Sequence, residues 1–128
     1  MKRLQNIGFQ KVGNWLLEFE KLDFKLEKFV DCSNVLYAFI VNDSIKYVGK
    51  STKTLRERMQ QYKTPGPTQS TNIKNNDNIK KELRSGKFVD IFVFVDTGLF
   101  SYGGFRINLA EGLETSIIAN IKPDWNEK

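Results

Sequence analysis

The stretch Val35-Leu36-Tyr37-Ala38-Phe39-Ile40-Val41-Asn42-Asp43-Ser44-Ile45-Lys46-Tyr47-Val48-Gly49 decides how the rest of the chain is read. Its opening run, Val35 to Val41, is apolar without a break, the pattern of a strand covered on both faces. Asn42-Asp43-Ser44 is turn chemistry and Ile45 to Val48 is apolar again, so the segment predicts a β-hairpin. Each strand carries one tyrosine, Tyr37 in the first and Tyr47 in the second. A buried tyrosine ordinarily packs its ring and satisfies its hydroxyl, and either residue taken singly reads that way. Gly49 suits a place where the backbone comes close to another group.

Toward the C-terminus, Thr54-Leu55-Arg56-Glu57 has the form of a capping box and predicts a helix to about Tyr62. Leu55 and Met59 share its core-facing stripe, whereas Arg58 and Tyr62, spaced i, i+4, are neighbours on another face. A guanidinium beside a phenol can grip a phosphate, and an arginine packed along an aromatic is the plainer alternative. Residues 63–78 carry Pro65, Gly66 and Pro67 and then a cluster of Asn and Thr, and they read as a loop. A short helix capped by Asp77 or a neighbouring Asn follows through Leu83, stopped by Gly86. Phe88 to Val95 predicts a third strand. Gly103-Gly104 turns the chain, and a last helix runs from about Leu109 to Ile121, ended by Pro123.

On that last helix Ala110, Leu113, Ile117, Ile118 and Ile121 share one face, and Glu114 falls in its middle. An unpaired carboxylate there must be protonated, paired or bound to a cation. Taken alone, the residue reads first as half of a buried salt bridge, since structural ion pairs outnumber metal sites. Glu111 lies off the centre of the face and reads as a solvated carboxylate at the helix start. At the other end of the chain, residues 14–29 fit a helical stripe or two short alternating runs, and the alternation on both flanks of Glu20-Lys21 favours a hairpin.

The composition narrows the chemistry. A chain of 128 residues, 40% hydrophobic with ten Phe, suits one globular domain. There is no histidine, and Cys32 is the single cysteine. An internal disulfide, a closed Cys/His zinc site and histidine-based catalysis are therefore excluded. A metal must sit on oxygen ligands, which points to Mg2+ or Mn2+. Proton transfer falls to carboxylates, lysines, tyrosines or water. The net charge of +5 attracts polyanions such as nucleic acid, although solvated lysines account for it equally well. The longest apolar runs, about eight residues, fall short of the roughly twenty that span a bilayer. No signal peptide follows the basic start, and the expected location is the cytoplasm.

Taken together the segments resemble the GIY-YIG nuclease family. Val35-Leu36-Tyr37 and Tyr47-Val48-Gly49 are similar to its paired tripeptides, with Val35 in place of the first glycine and Leu36 and Val48 for the isoleucines. Gly49-Lys50-Ser51 and Leu55-Arg56-Glu57-Arg58-Met59-Gln60-Gln61-Tyr62 resemble its strand-to-helix segment. Glu114 and Lys122-Pro123-Asp124-Trp125-Asn126 resemble the closing glutamate helix and terminal asparagine. The likeness spans residues 35–126 and leaves the first 34 residues outside it.

The resemblance implies an α/β chain of the α+β type, with a small central antiparallel three-stranded sheet flanked by helices. Residues 1–34 are then an N-terminal extension, a hairpin packed on the core, and residues 35–128 the nuclease domain. It implies a divalent-metal-dependent endonuclease that hydrolyses DNA and leaves 5′-phosphate and 3′-hydroxyl ends. Tyr37, Tyr47, Arg58 and Glu114 are the catalytic residues, and Tyr62, Asn126 and Lys50 support them. Glu114 supplies the protein ligand to Mg2+ (Mn2+ possible). Tyr37, hydrogen-bonded to Tyr47, takes the proton of the attacking water, its own proton drawn off by the cationic surroundings. Arg58 stabilises charge on the phosphate, and Asn126 orients Glu114 or the substrate. Specificity would come from residues 63–78, and double-strand cleavage would need a homodimer or two binding events. The alternatives are an inactive nucleic-acid-binding module of the same fold and a protein-interaction domain using residues 14–29.

Overall fold

The computed structural model describes residues 1–126. The elements in chain order are α1 (Lys2–Asn6), β1 (Gln10–Glu18), β2 (Lys21–Leu26), β3 (Val35–Val41), β4 (Ser44–Ser51), α2 (Leu55–Lys63), α3 (Ser70–Arg84), β5 (Val89–Val95), β6 (Ser101–Tyr102), β7 (Phe105–Arg106) and α4 (Leu109–Ile121). No helix among the described residues is long and apolar enough to cross a membrane.

The fold is of the α+β type, but its sheet has five antiparallel strands in the order β2-β1-β5-β3-β4, where three were expected. The difference comes from the N-terminal segment. The alternation around Glu20-Lys21 does make a hairpin, β1 and β2, and β1 pairs with the free side of β5. Residues 1–34, expected as an extension packed on the core, thus supply two strands of the same sheet. Trp15 and Leu22 of this hairpin are each 2% exposed, so they serve the core and not a docking face. Gly13 lets β1 and β2 close up, because a Cβ there would collide with the Lys25 carbonyl.

Side chains alternate across the sheet and build two cores. Val35, Tyr37, Phe39 and Tyr47 point to the side covered by α2 and α3, where Leu55, Met59, Tyr62 and Ile79 meet them. Leu36, Ala38, Ile40 and Val48 point to the other side, where Ala110 and Ile117 of α4 cover them. All seven residues of β3 are buried, which accounts for its unbroken apolar sequence. α2 starts with the expected capping box between Thr54 and Glu57.

α3 departs most from expectation, since it begins at Ser70 and takes up most of the expected loop 63–78. Its buried stripe is Asn72, Asn75, Asn76 and Ile79, the i, i+3, i+4, i+7 pattern of a helix written mainly in asparagine. Counting apolar residues therefore misses it. Asn76 donates to the carbonyls of Tyr62 and Lys63 at 2.8 and 3.2 Å, so it caps the end of α2 from the neighbouring helix. β6 and β7 form a separate ribbon before α4.

Candidate active site

β3 and α2 bring Tyr37, Arg58 and Tyr62 together on the first face of the sheet. The Tyr37 and Tyr62 hydroxyl oxygens lie 2.6 Å apart. Arg58 Nε donates to Tyr37 at 3.0 Å, Nη2 to the Tyr62 hydroxyl at 2.8 Å and Nη1 to Gln61 Oε1 at 2.7 Å. The guanidinium also lies over the Tyr62 ring, 4.3 Å from its centre. Three of a guanidinium's five N–H bonds are thus engaged, all with neutral partners. Arg58 is half-buried, and no acid among the described residues forms an ion pair with it. A partly desolvated cation without a counter-ion, with donors to spare, is a place for an anion.

Two expectations about the tyrosines are corrected. The hydroxyl bonded to Tyr37 is that of Tyr62, because α2 turns Tyr62 into the core with Leu55 and Met59 at i, i+4, i+7 spacing. Tyr47 packs beside the pair, its ring 6.2 Å from Tyr37 and 6.3 Å from Tyr62, and it faces a cleft. Nor do the surroundings draw the proton from Tyr37. Burial pushes its phenol well above the ordinary tyrosine range, and Arg58 opposes this without overcoming it. Burial raises Tyr62 as well. Both phenols are neutral, and only one of their protons can occupy the 2.6 Å link. The other is a donor left over, so the cluster offers donors, not a base.

Gly49 sits against this cluster: a Cβ built on it would stand 2.6 Å from the Tyr37 oxygen. The next residue, Lys50, points the other way and pairs with Glu111 at 3.2 Å. Glu111, expected as a solvated carboxylate at the helix start, is exposed in the first turn of α4 and reaches the edge strand through this pair. Glu114 lies on α4, on the side of the sheet away from the tyrosine rings, and meets β4 at the Lys50 backbone. The Gly49–Lys50 step is the part of the chain that both groups touch, with Tyr37 against Gly49 and Glu114 at Lys50. Glu114 is half-buried, and burial raises its carboxyl above the ordinary range, with Lys50 lowering it and Glu111 raising it.

Asn126, expected to orient Glu114 or the substrate, uses its amide on β4. Its Oδ1 accepts from the Val48 amide and its Nδ2 donates to the Val48 carbonyl, each at 2.9 Å. With Trp125 N–H donating to the Lys46 carbonyl at 2.8 Å, this closes the free edge of the strand that carries Tyr47 and Gly49. Gln61 and the clearance at Gly49 complete the site. Gln61 was not among the expected residues, although its place three residues after Arg58 puts it within reach.

No group of three or more acidic or cysteine side chains suited to a metal exists among the described residues. The donor set at α4 is Glu114 and Glu111, one turn apart on the helix. Carboxylate oxygens alone fit a hard cation that keeps most of its waters, as Mg2+ does. The raised Glu114 carboxyl is a group that a cation would favour in its charged form.

No family model matches the chain, and none of the curated proteins does. Its fold is shared with solved structures, among them the following two. One is a point mutant of bacteriophage T4 EndoII, with a TM-score of 0.74 and 24% identity over 99% of this chain and 98% of that one. The other is the restriction endonuclease HPY188I in complex with product DNA, with a TM-score of 0.59 and 18% identity over 94% of this chain and 79% of that one. At these identities the likeness is one of fold.

Proposed function

We propose that this chain is a divalent-metal-dependent endonuclease of the GIY-YIG type, hydrolysing phosphodiester bonds of DNA. The observation that carries this reading is Arg58, a half-buried cation held by two neutral phenols and lacking an acidic partner among the described residues. A structural arginine in such a position is ordinarily paired with a carboxylate. A phosphate group supplies the missing charge and accepts the N–H bonds that remain. The sequence resemblance, the fold shared with two nucleases and the net charge of +5 agree with it.

In this reading Arg58 binds a non-bridging phosphate oxygen and stabilises the charge that develops there. Tyr37 and Tyr62 fix the plane of the guanidinium, and their spare phenolic proton is a further donor. Because burial keeps both Tyr37 and Tyr62 neutral, the pair acts by donating hydrogen bonds, and the proton of the attacking water passes to solvent water. Tyr47 borders the approach, Lys50 holds Glu111, and Glu114 is the residue that would hold a divalent cation. When bound, such a cation polarises the phosphate and acidifies water. One site cuts one strand, so double-strand cleavage takes two copies of the chain or two binding events.

A supercoiled plasmid incubated with the protein tests the reading. Nicking is expected with Mg2+ and not with EDTA, and Glu114→Ala is expected to bind DNA without nicking it. Wild-type nicking by that variant would remove Glu114 from the site. DNA binding with no nicking in Mg2+ or Mn2+ would favour the inactive binding module.

A further inference from the structure

Gln61 stands three residues after Arg58 on α2 and is partly buried beside it. Arg58 Nη1 donates to its Oε1 at 2.7 Å. A guanidinium has no acceptor, so this bond settles which end of the Gln61 amide faces the cation. The other end, Nε2, carries two N–H bonds on the same planar group. Among the described residues Nε2 donates to nothing and, unlike the Trp15 and Asn75 nitrogens, it is open to solvent.

The identity of residue 61 bears on the charge of the site. Glutamate has the same shape as glutamine and could take the same place. Its carboxylate would pair with Arg58 and neutralise it, the ordinary arrangement for a half-buried arginine. Glutamine instead holds the guanidinium with a neutral oxygen and leaves the positive charge for an outside anion. One N–H on each Nη of Arg58 also remains. Nη1 and the Gln61 amide are joined by the 2.7 Å bond, so an anion on Nη1 has the Nε2 donors beside it. The complement is an anion with at least two oxygens, one for the guanidinium and one for the amide, as a phosphodiester has.

We infer that Gln61 is a second binding residue of the phosphate site: Oε1 sets the plane of Arg58 while Nε2 donates to another non-bridging oxygen of the same phosphodiester. The inference rests on the nuclease reading and gives that site a neutral donor outside the tyrosine pair. Binding at two oxygens fixes the rotation of the phosphate about Arg58, which a contact to one oxygen leaves open.

The test is an NMR titration of the full chain with inorganic phosphate, alongside binding of a short DNA duplex in EDTA. Phosphate is expected to move the Gln61 side-chain amide signals together with the Arg58 Nε–H signal, in a saturable way. Gln61→Met keeps the length of the side chain and loses the amide. It is expected to weaken duplex binding about tenfold, the size of one hydrogen bond to a charged group. In Gln61→Glu the new carboxylate is expected to pair with Arg58, so that this variant melts no lower than wild type and binds the duplex more weakly still. A loss of binding without a loss of stability cannot come from misfolding. Wild-type duplex binding by either variant, or a phosphate response at Arg58 that leaves Gln61 unmoved, overturns the inference. Because these readouts require no cleavage, they separate the two readings. A protein that nicks while Gln61→Met binds the duplex as wild type does loses only the inference. One in which phosphate moves both Arg58 and Gln61, but which never nicks in Mg2+ or Mn2+, loses only the nuclease.

Discussion

Gly49 lies so close over Tyr37 that a Cβ built on it would stand 2.6 Å from the Tyr37 hydroxyl oxygen and 2.7 Å from the carbon that bears it. That clearance lets the edge strand cross the tyrosine cluster, and it explains why a residue without a side chain follows Tyr47-Val48.

Gly49→Ala is therefore expected to push Tyr37 from its bond with Tyr62 or lift β4 from β3. Overpacking of this kind costs about 1–3 kcal/mol. Urea unfolding reads the loss, and a variant as stable as wild type would show that the contact has more room than this geometry allows.

Tyr37→Phe and Tyr62→Phe each remove one end of the 2.6 Å link and one acceptor of Arg58. Each change is expected to lower stability by about 1 kcal/mol and to slow nicking. The double variant is expected to lose less than the sum, because both act on one network. Strict additivity would mean that the hydroxyls act independently. Tyr47→Phe leaves this network whole and serves as the comparison.

The two motif strands, the capped helix at Leu55 and the α4 face with Glu114 are local features, and each follows from the spacing of its own residues. The places where sequence reading stopped short are relations between distant segments. That β5 has two free sides, and that residues 10–26 fill one of them, depends on pairing between Trp15 and Val89 that no local pattern expresses. The helical stripe of α3 is hidden because Asn72, Asn75 and Asn76 hold positions usually given to apolar residues. Tyr62 was legible as a neighbour of Arg58. Its bond to Tyr37 was not, because it depends on how α2 rolls against β3.

Glu114 makes one contribution to the pH dependence of stability, opposite in sign to that of Asp23 and Asp96, whose carboxyls are lowered. The Glu114 carboxyl is raised in the folded chain by burial, so folding binds that proton more tightly. The associated stability is present below the ordinary carboxylate range and fades as pH rises through the raised value. Glu114→Gln is thus expected to melt higher than wild type at neutral pH, with the advantage gone in acid. Added Mg2+ is expected to stabilise wild type and not the variant. A variant less stable at neutral pH would mean that Glu114 is held by a favourable partner.

Asn126→Ala removes both bonds to the Val48 backbone and leaves its buried amide without a partner. A loss of about 1–3 kcal/mol is expected, with amide hydrogen exchange faster at Val48. Unchanged exchange there would show that the strand edge holds without this asparagine.

The most direct test of the whole account is Mg2+-dependent plasmid nicking by wild type, Arg58→Lys and Arg58→Ala. Lysine keeps the charge and loses the fork that Tyr37 and Tyr62 hold, so both variants are expected to be slowed, Arg58→Ala by about 100- to 1,000-fold. Nicking by Arg58→Ala at the wild-type rate would contradict the account, because the cation held between the two phenols would then have no part in the reaction.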